Sequence, residues 1–369
     1  MKEETETPIR QLGGHDYLYE RIAARLRQAI AQGDFGPGAR LPSLDDLARL
    51  HDVNRLTVRK AVAALVREGL VHTVPAQGTF VSRVGGATGD GAAPPSLPVI
   101  GLLSHVLNPA GYGPYHQAIF AGIYDELARC GANLLVMAAG TVAPVDFPGL
   151  VRRARAQGMI YMGPFDDRIL AEMVREGPPA VVVDHRAEGL DCDSICVDNA
   201  AGAVAAMRHL LERTAGGEVA IISGTPGDAA TEERLIGARQ ALREAGVAES
   251  AASVIPGNYF REGGEAAMLA LLQRGRVPRG VFCMNDEMAV GALNVLQRAG
   301  RDVPGDIALV GFDDTVWAQS TRPPLTTVHV DTRRMGRLAM TLLWARMHDG
   351  AATPVSSVIQ PRLVVRGSA

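Results

Sequence analysis

Apolar residues recur with a helical period over roughly the first eighty positions, and beyond position 98 they gather instead into short unbroken runs separated by amphipathic stretches. Between Tyr17 and Gln32, Ile22, Leu26, Ala29 and Ile30 share one helical stripe, and Gly33 stands where that helix should stop. Ser43 precedes Leu44-Asp45-Asp46-Leu47, so a short second helix is expected with Ser43 as N-cap and Asp46 completing a variant capping box, ending near His51. In the stretch VNRLTVRKAVAAL, from Val53 to Leu65, the residues Val58, Ala61, Val62 and Leu65 form a stripe that can be buried. Leu56, Arg59 and Lys60 point away from that stripe, Arg55 sits at its edge, and Asn54 is the expected N-cap. After Gly69, the runs Leu70 to Val74 and Thr79 to Val81 flank Pro75-Ala76-Gln77-Gly78 and predict a two-stranded ribbon. Three helices and a ribbon make a winged helix-turn-helix.

From Ser82 to Pro98 glycine, alanine and proline replace the periodic pattern, which is the composition of a flexible linker. Beyond it β-like runs are expected at Val99 to Leu103, Leu134 to Ala138, Met159 to Met162, Ala180 to Asp184, Val219 to Ser223, Val281 to Met284 and Ile307 to Phe312. Helical patterns lie between them, at Tyr115 to Arg129, Ala200 to Leu211, Glu232 to Ala245 and Glu287 to Ala299. Continuous apolar strands alternating with helices predict parallel sheets covered on both faces. The expected divisions are a tail over 1–14, the winged helix over 15–82, the linker over 83–97 and an α/β domain over 98–369.

Charge sharpens this division. The whole chain carries a formal charge of -3, so any nucleic-acid surface must be local. Ten Lys/Arg against seven Asp/Glu between Asp16 and Arg83 make that part +3, leaving the remainder acidic. A solvated basic helix face would look the same, but here the cations open a helix whose free N–H groups also favour anions. The acid-rich start MKEETETPIRQ and the absence of a run of eighteen apolar residues predict a cytoplasmic chain. Four cysteines without paired C-x2-C spacing predict reduced structural thiols, and nine scattered histidines predict no metal site.

No catalytic constellation is visible: there is no H-E-x-x-H and no G-x-S-x-G, and Ser223-Gly224-Thr225-Pro226-Gly227-Asp228 lacks the G-K-[ST] ending of a phosphate loop. No cofactor is expected. Polar residues do end several predicted strands: Asp184 after AVVV, Asn285-Asp286 after VFCM and Asp313-Asp314 after IALVGF, with Arg234 in the helix after AIISG. Open α/β sheets bind ligands at that edge, and carboxylates, an amide and a guanidinium can together grip adjacent hydroxyls. Tyr112, Tyr115, Tyr259, Phe260 and Trp317 are candidates to stack on a sugar ring. The plainer reading is that an Asp or Asn after a strand only caps the next helix.

The set Gly33, Pro37-Gly38, Leu41-Pro42-Ser43, Leu47-Ala48, Val53, Arg55, Thr57-Val58-Arg59, Gly69-Leu70 and Gly78-Thr79-Phe80-Val81 resembles the DNA-binding domain of the GntR family of bacterial repressors. That resemblance implies DNA contacts from Ser43, Asn54, Arg55, Leu56, Thr57, Arg59 and Lys60, and from the wing at Gln77, Gly78 and Thr79. Two departures remove cations: Asp45 replaces the family's usual arginine, and Ala76-Gln77-Gly78 lacks its usual basic wing residue. From Pro98 almost to the end, VIGLL, FAGIYDELARCGANLLV, AVVVDH, SICVDNAAGAVAAMRHLL, EVAIISG, ERLIGARQALREAG, GVFCMNDEMAVGAL, DVPGDIALVGFDD and PPLTTV resemble the LacI-type core and the periplasmic sugar-binding proteins. This implies a periplasmic-binding-protein-like type I domain of two parallel-sheet lobes, with crossovers near 198 and 329, an arrangement similar to the arabinose-responsive repressors. It further implies effector contacts from Asp184, Arg234, Asn285 and Asp313, stacking by Tyr259, and closure by Tyr112 or Tyr115. Arg234 and Asp313 are expected to hold the effector from opposite sides of the cleft. The expected protein is thus a homodimeric repressor on double-stranded operator DNA, released by a mono- or disaccharide or sugar derivative. A cytoplasmic sugar sensor acting on a protein and a sugar-modifying enzyme are the alternatives.

Overall fold

The computed structural model describes residues 15–36, 38–67, 70–74, 78–81, 97–104, 113–138, 145–274, 277–349 and 353–369. The chain divides into two compact units, Met1–Pro94 and Pro95–Ala369.

The first unit contains α1 (His15–Gln32), α2 (Leu44–Leu50), α3 (Arg55–Arg67), β1 (Val71–Val74) and β2 (Gly78–Val81). Ser43 starts α2 by accepting from the Asp46 N–H at 3.1 Å while its hydroxyl donates to Asp46 Oδ2 at 2.6 Å. Asn54 starts α3 in the same way, accepting from the Thr57 N–H at 2.8 Å. The stripe Val58, Ala61, Val62 and Leu65 is buried against Ile22, Leu26, Leu41 and Leu47, and Val71 and Val81 close this core from the ribbon. β1 and β2 are antiparallel, with Val71 opposite Val81. The sequence pattern missed a third edge. Leu41 N–H donates to the Thr79 carbonyl at 2.8 Å and Val81 N–H to the Ala39 carbonyl at 2.8 Å, so the segment before α2 pairs with β2.

In the second unit β3 (Val99–Ser104), β4 (Asn133–Ala138), β5 (Gly158–Met162), β6 (Ala180–Val183), β7 (Asp193–Val197) and β13 (Ser356–Ile359) build one sheet, ordered β13-β7-β6-β5-β3-β4 and parallel throughout. Helices α4 (Pro114–Cys130) and α12 (Thr332–Asp349) pack together, with α12 over β5, β6 and β7, and α5 (Phe147–Ala154) packs on α6 (Asp167–Glu176). The other sheet is ordered β14-β12-β11-β10-β8-β9, from β8 (Val219–Ser223), β9 (Ala252–Pro256), β10 (Gly280–Cys283), β11 (Ala308–Asp313), β12 (Thr326–His329) and β14 (Arg362–Val364). It is parallel except for β14, which runs against β12. Here α7 (Asn199–Arg213) pairs with α8 (Ala229–Glu244), α9 (Arg261–Gln273) with α10 (Asp286–Arg298), and α11 (Val316–Ser320) lies on α10. The central strands are buried on both faces, which is why they read as unbroken apolar runs.

The chain passes between the two lobes after β7, after β12 and, beyond the pair named above, again between β13 and β14. Asp198 and Gln360, on two of these passages, touch through a 3.4 Å hydrogen bond, and Asp198 N–H donates to the Ile359 carbonyl at 3.1 Å. The helix pair α4–α12 approaches unusually closely: a Cβ on Gly122 would lie 2.0 Å from the Arg333 carbonyl, and one on Gly336 would lie 2.0 Å from that of Ile119.

Candidate functional site

The outer face of α3 carries Arg55, Leu56, Arg59 and Lys60, all exposed, with Leu56 62% accessible although it is a large apolar residue. Among the described residues Arg59 and Lys60 make no ion pair, whereas Arg55 Nε lies 3.4 Å from Asp45 Oδ1. The carboxylate that replaces a family cation thus neighbours the first cation of α3. Ser43 and Asn54 are committed to capping, and Thr57 donates its hydroxyl to Asn54 Oδ1 at 2.9 Å. Gln77 lies outside the described residues. Gly78 has φ 122, and a Cβ there would sit 2.7 Å from Arg40 Nε, so the exposed Arg40 guanidinium rests on the wing beside the half-buried Thr79. Sequence reasoning missed Arg40 because the family pattern rests on its neighbours Pro37-Gly38 and Leu41-Pro42-Ser43, and it reaches the wing only through the pairing of residues 39–41 with β2.

In the α/β unit the strand-end residues converge. Asp184 follows β6 with φ 62, and its Oδ1 accepts from the Tyr115 hydroxyl at 3.0 Å, tying the start of α4 to the sheet of its own lobe. Asp313, the last residue of β11, has φ 103, and Tyr259 ahead of α9 has φ 66. Positive φ at three side-chain-bearing residues around one crevice is backbone strain of the kind that concentrates at binding sites. Burial, opposed by the Tyr115 hydrogen bond and by Arg234, lifts the Asp184 carboxyl to about 6. Asp313 is also raised, by burial first, with Arg234 holding it down. Asp184, Arg234 and Asp313 lie close enough for each to act on the others electrostatically, across the two lobes.

Arg234 is not at the start of α8 but in its second turn, and it is 4% exposed. Its Nε donates to Asn199 Oδ1 at 2.9 Å, its Nη1 to the Met284 carbonyl, and its Nη2 lies 3.5 Å from Asp313 Oδ1. Its Cζ stands 3.8 Å over the Phe312 ring. Arg234 and Asp313 therefore belong to one lobe and pair with each other, and the expectation of a grip from opposite sides is corrected: the facing groups are Tyr115 and Asp184. Asn199, which the sequence reading overlooked, joins Arg234 to Glu233 through a 3.0 Å hydrogen bond, and Glu233 holds Arg186 at 2.8 Å.

Asn285 caps α10, accepting from the Met288 N–H at 2.9 Å, and its amide donates to the Tyr259 carbonyl at 2.8 Å, so it fixes the tyrosine loop. The Tyr259 ring covers Gly224, where a Cβ would lie 2.1 Å from its Cζ, and its hydroxyl donates to Asp228 Oδ2 at 2.9 Å. Tyr112 lies outside the described residues. Asp286 and Asp314 are structural: Asp286 accepts from Thr327 Oγ1 and the Thr315 N–H, each at 2.6 Å, and Asp314 accepts from Arg366 Nη2 at 2.6 Å. Trp317 packs under Arg261, 5.2 Å from ring centroid to Cζ, while Phe260 is exposed ahead of α9. A hollow of about 500 Å³ near the carboxyl ends of α7 and α8, lined by Arg208, Glu212 and Glu244, is remote from these groups.

Comparison with known proteins gives two family matches: bacterial regulatory proteins of the gntR family over residues 18–81, and a periplasmic binding protein-like domain over residues 207–369. The HTH-type transcriptional repressor CytR of Escherichia coli K12 is 32% identical over 268 residues, 71% of this chain and 78% of CytR. The HTH-type transcriptional regulator GalR of the same strain is 34% identical over 219 residues, 59% of this chain but only 64% of GalR. Among solved structures, the complex of the transcriptional regulator CelR with cellobiose superposes with a TM-score of 0.66 at 27% identity, covering 89% of this chain and all of that one. A gntR-type winged helix followed by this two-lobed α/β domain makes the chain a member of the bacterial HTH-type transcriptional regulators, with an effector domain of the LacI type.

Proposed function

We propose that the chain is a cytoplasmic, homodimeric repressor of carbohydrate-utilisation genes, released from double-stranded operator DNA by a small sugar-like effector bound between the lobes. The supporting observation is the convergence of Tyr115 and Asp184 from one lobe with Arg234 and Asp313 from the other, in a chain whose α3 exposes Arg55, Arg59 and Lys60. In this reading Arg59 and Arg55 read base edges in the major groove, Leu56 meets a thymine methyl, and Lys60 neutralises a phosphate. Thr79, Gly78, Gln77 and Arg40 approach the backbone from the wing, while Ser43, Asn54 and Thr57 hold the helix starts against it. Residues 83–97 act as the linker, and residues 98–369 bind effector and dimerise. The effector donates to Asp184 and Asp313 and accepts from Arg234, with Tyr259, Tyr112 or Tyr115 against its apolar face and Asn285 setting the Tyr259 loop. Closure releases DNA only if the effector binds the closed lobes more tightly than the open ones.

Gel shifts of the full chain on the DNA flanking its gene, with and without candidate sugars, test this reading. Arg59→Ala should lose roughly 1 to 3 kcal/mol of discrimination between operator and mismatched sites. Lys60→Ala and Arg40→Ala should weaken all sequences alike and each reduce the salt slope by about one. Equal affinity of the native chain for operator and random DNA would refute the proposal.

A further inference from the structure

We infer that the cleft selects an uncharged or amine-bearing polyhydroxyl ligand and rejects phosphorylated and carboxylated forms of the same sugar. The inference deepens the effector reading above and rests on it. Its basis is the count of donors and acceptors around the crevice.

An anionic ligand brings acceptors and needs a free donor fork. Arg234 does not offer one. A guanidinium presents two edges for bidentate contact, Nε with one Nη and the two Nη together. Nε is engaged by Asn199, Nη1 by Met284, and Nη2 by Asp313, while Phe312 covers one face, so each edge already has an engaged member. Arg186 is turned onto Glu233 through both Nε and Nη2 at 2.8 Å. Arg261 lies over Trp317 and acts electrostatically on Glu287. His116 of α4 is held neutral near neutral pH, since burial lowers it to about 4.

Side chains also cap two of the helix starts that could receive an anion, and the uncapped start of α9 carries Glu262 in its first turn. Asp228 caps α8 and Asn285 caps α10. At the start of α4, which has no side-chain cap, Glu287 of the opposite lobe brings Oε1 within 3.0 Å of where a Gly113 Cβ would be. Beside single, unforked N–H groups of Arg234, acceptor capacity remains open: among the described residues neither Asp184 Oδ2 nor Asp313 Oδ2 has a hydrogen-bond partner. Asp184 and Asp313 face one arginine, Arg234, that is already paired, and Glu287 has Arg261 as its cation. A ligand phosphate would add like charge to this group, and like-charge juxtaposition suppresses wrong partners strongly. Hydroxyl and ammonium groups supply the missing donors.

Titration calorimetry of the full-length chain tests the inference with a panel of pentoses, hexoses and disaccharides, each hexose accompanied by its 6-phosphate, its uronic acid and its 2-amino form. The expected result is binding of at least one uncharged or amino sugar, with the phosphate and uronate of the same sugar weaker by roughly a hundredfold or more, the scale of a few like-charge contacts. Asp184→Asn and Asp313→Asn should each narrow that ratio at least about tenfold by removing one repelling charge. A phosphate or uronate that binds as tightly as its uncharged parent overturns the inference while leaving the sugar reading intact. If no member of the panel binds, charged or uncharged, the sugar reading itself falls and takes the inference with it.

Discussion

Asp184 and Arg234 show how much a single residue's surroundings decide. Arg234 serves three acceptors from a position 4% exposed, and Arg234→Ala would leave the Asp313 carboxylate buried without its partner. Loss of one member of a buried pair typically costs about 3 to 5 kcal/mol, so the variant should unfold at clearly lower denaturant concentration, and Arg234→Lys should recover only part because an ammonium cannot reach three acceptors in one plane. An Arg234→Ala chain as stable as the native one would show that the pair is not structural. Asp184 makes a pH prediction. Its folded carboxyl is raised from 3.8 to about 6, so the folded chain keeps a proton that the unfolded chain has lost over that interval. Stability linked to this group is therefore present at low pH and declines as pH rises from about 4 to about 6. Asp184→Asn should flatten this slope by on the order of 1 kcal/mol, allowing for the water that reaches a half-buried carboxyl, as read from urea unfolding across that range.

At the scale of elements, the strongest constraint is how closely the helices of one lobe approach. Gly122 on α4 and Gly336 on α12 each face a carbonyl of the other helix with no room for a Cβ. Gly336→Leu must push the pair apart, and overpacking of this kind costs roughly 1 to 3 kcal/mol or more. Because α12 also covers β5, β6 and β7, the expected outcome is a destabilised lobe with α3 unaltered: lower thermal stability by calorimetry, but DNA affinity retained below the transition. Several elements were legible in the sequence because their signals are local. The caps Ser43 and Asn54, the buried stripe of α3 and the apolar runs of β3, β5, β6, β8 and β10 all lie where periodicity puts them. The strands β9 and β13 were not, since at an edge they bury little: the pattern of β9 leaves Ser253 and Val254 exposed, and β13 exposes Val358. β14 is three residues long and is created by its partner β12 rather than by its own composition.

On the scale of the whole molecule, one recognition helix per chain requires two chains for a two-part operator, because each half-site needs its own helix. Sedimentation of the full-length chain on a saturating palindromic duplex should give two chains per DNA, and one chain per duplex would contradict dimeric binding. Three passages of the chain join the lobes, with Asp198 and Gln360 hydrogen-bonded across two of them. Only two were legible beforehand. The third runs between two short strands that carry no periodic signal of their own.

Contacts between near neighbours along the chain were enough to specify a basic helix with an apolar stripe, capped by residues three positions away, and strands buried on both sides. The sequence also placed Asp184, Asn285 and Asp313 at strand ends, because the position of an α/β binding edge follows from strand direction. Tertiary structure alone decided what those residues do there. Arg234 and Asp313 lie 79 positions apart and become one ion pair only when α8 and β11 pack in the same lobe. Asn285 became a cap and a clamp on Tyr259, and Arg40 reached the wing through a strand pairing that no local pattern announces. The physical reason is common to all of them: caps and stripes arise from contacts within a turn or two, whereas a binding crevice is assembled from side chains whose partners are set by sheet order and helix packing.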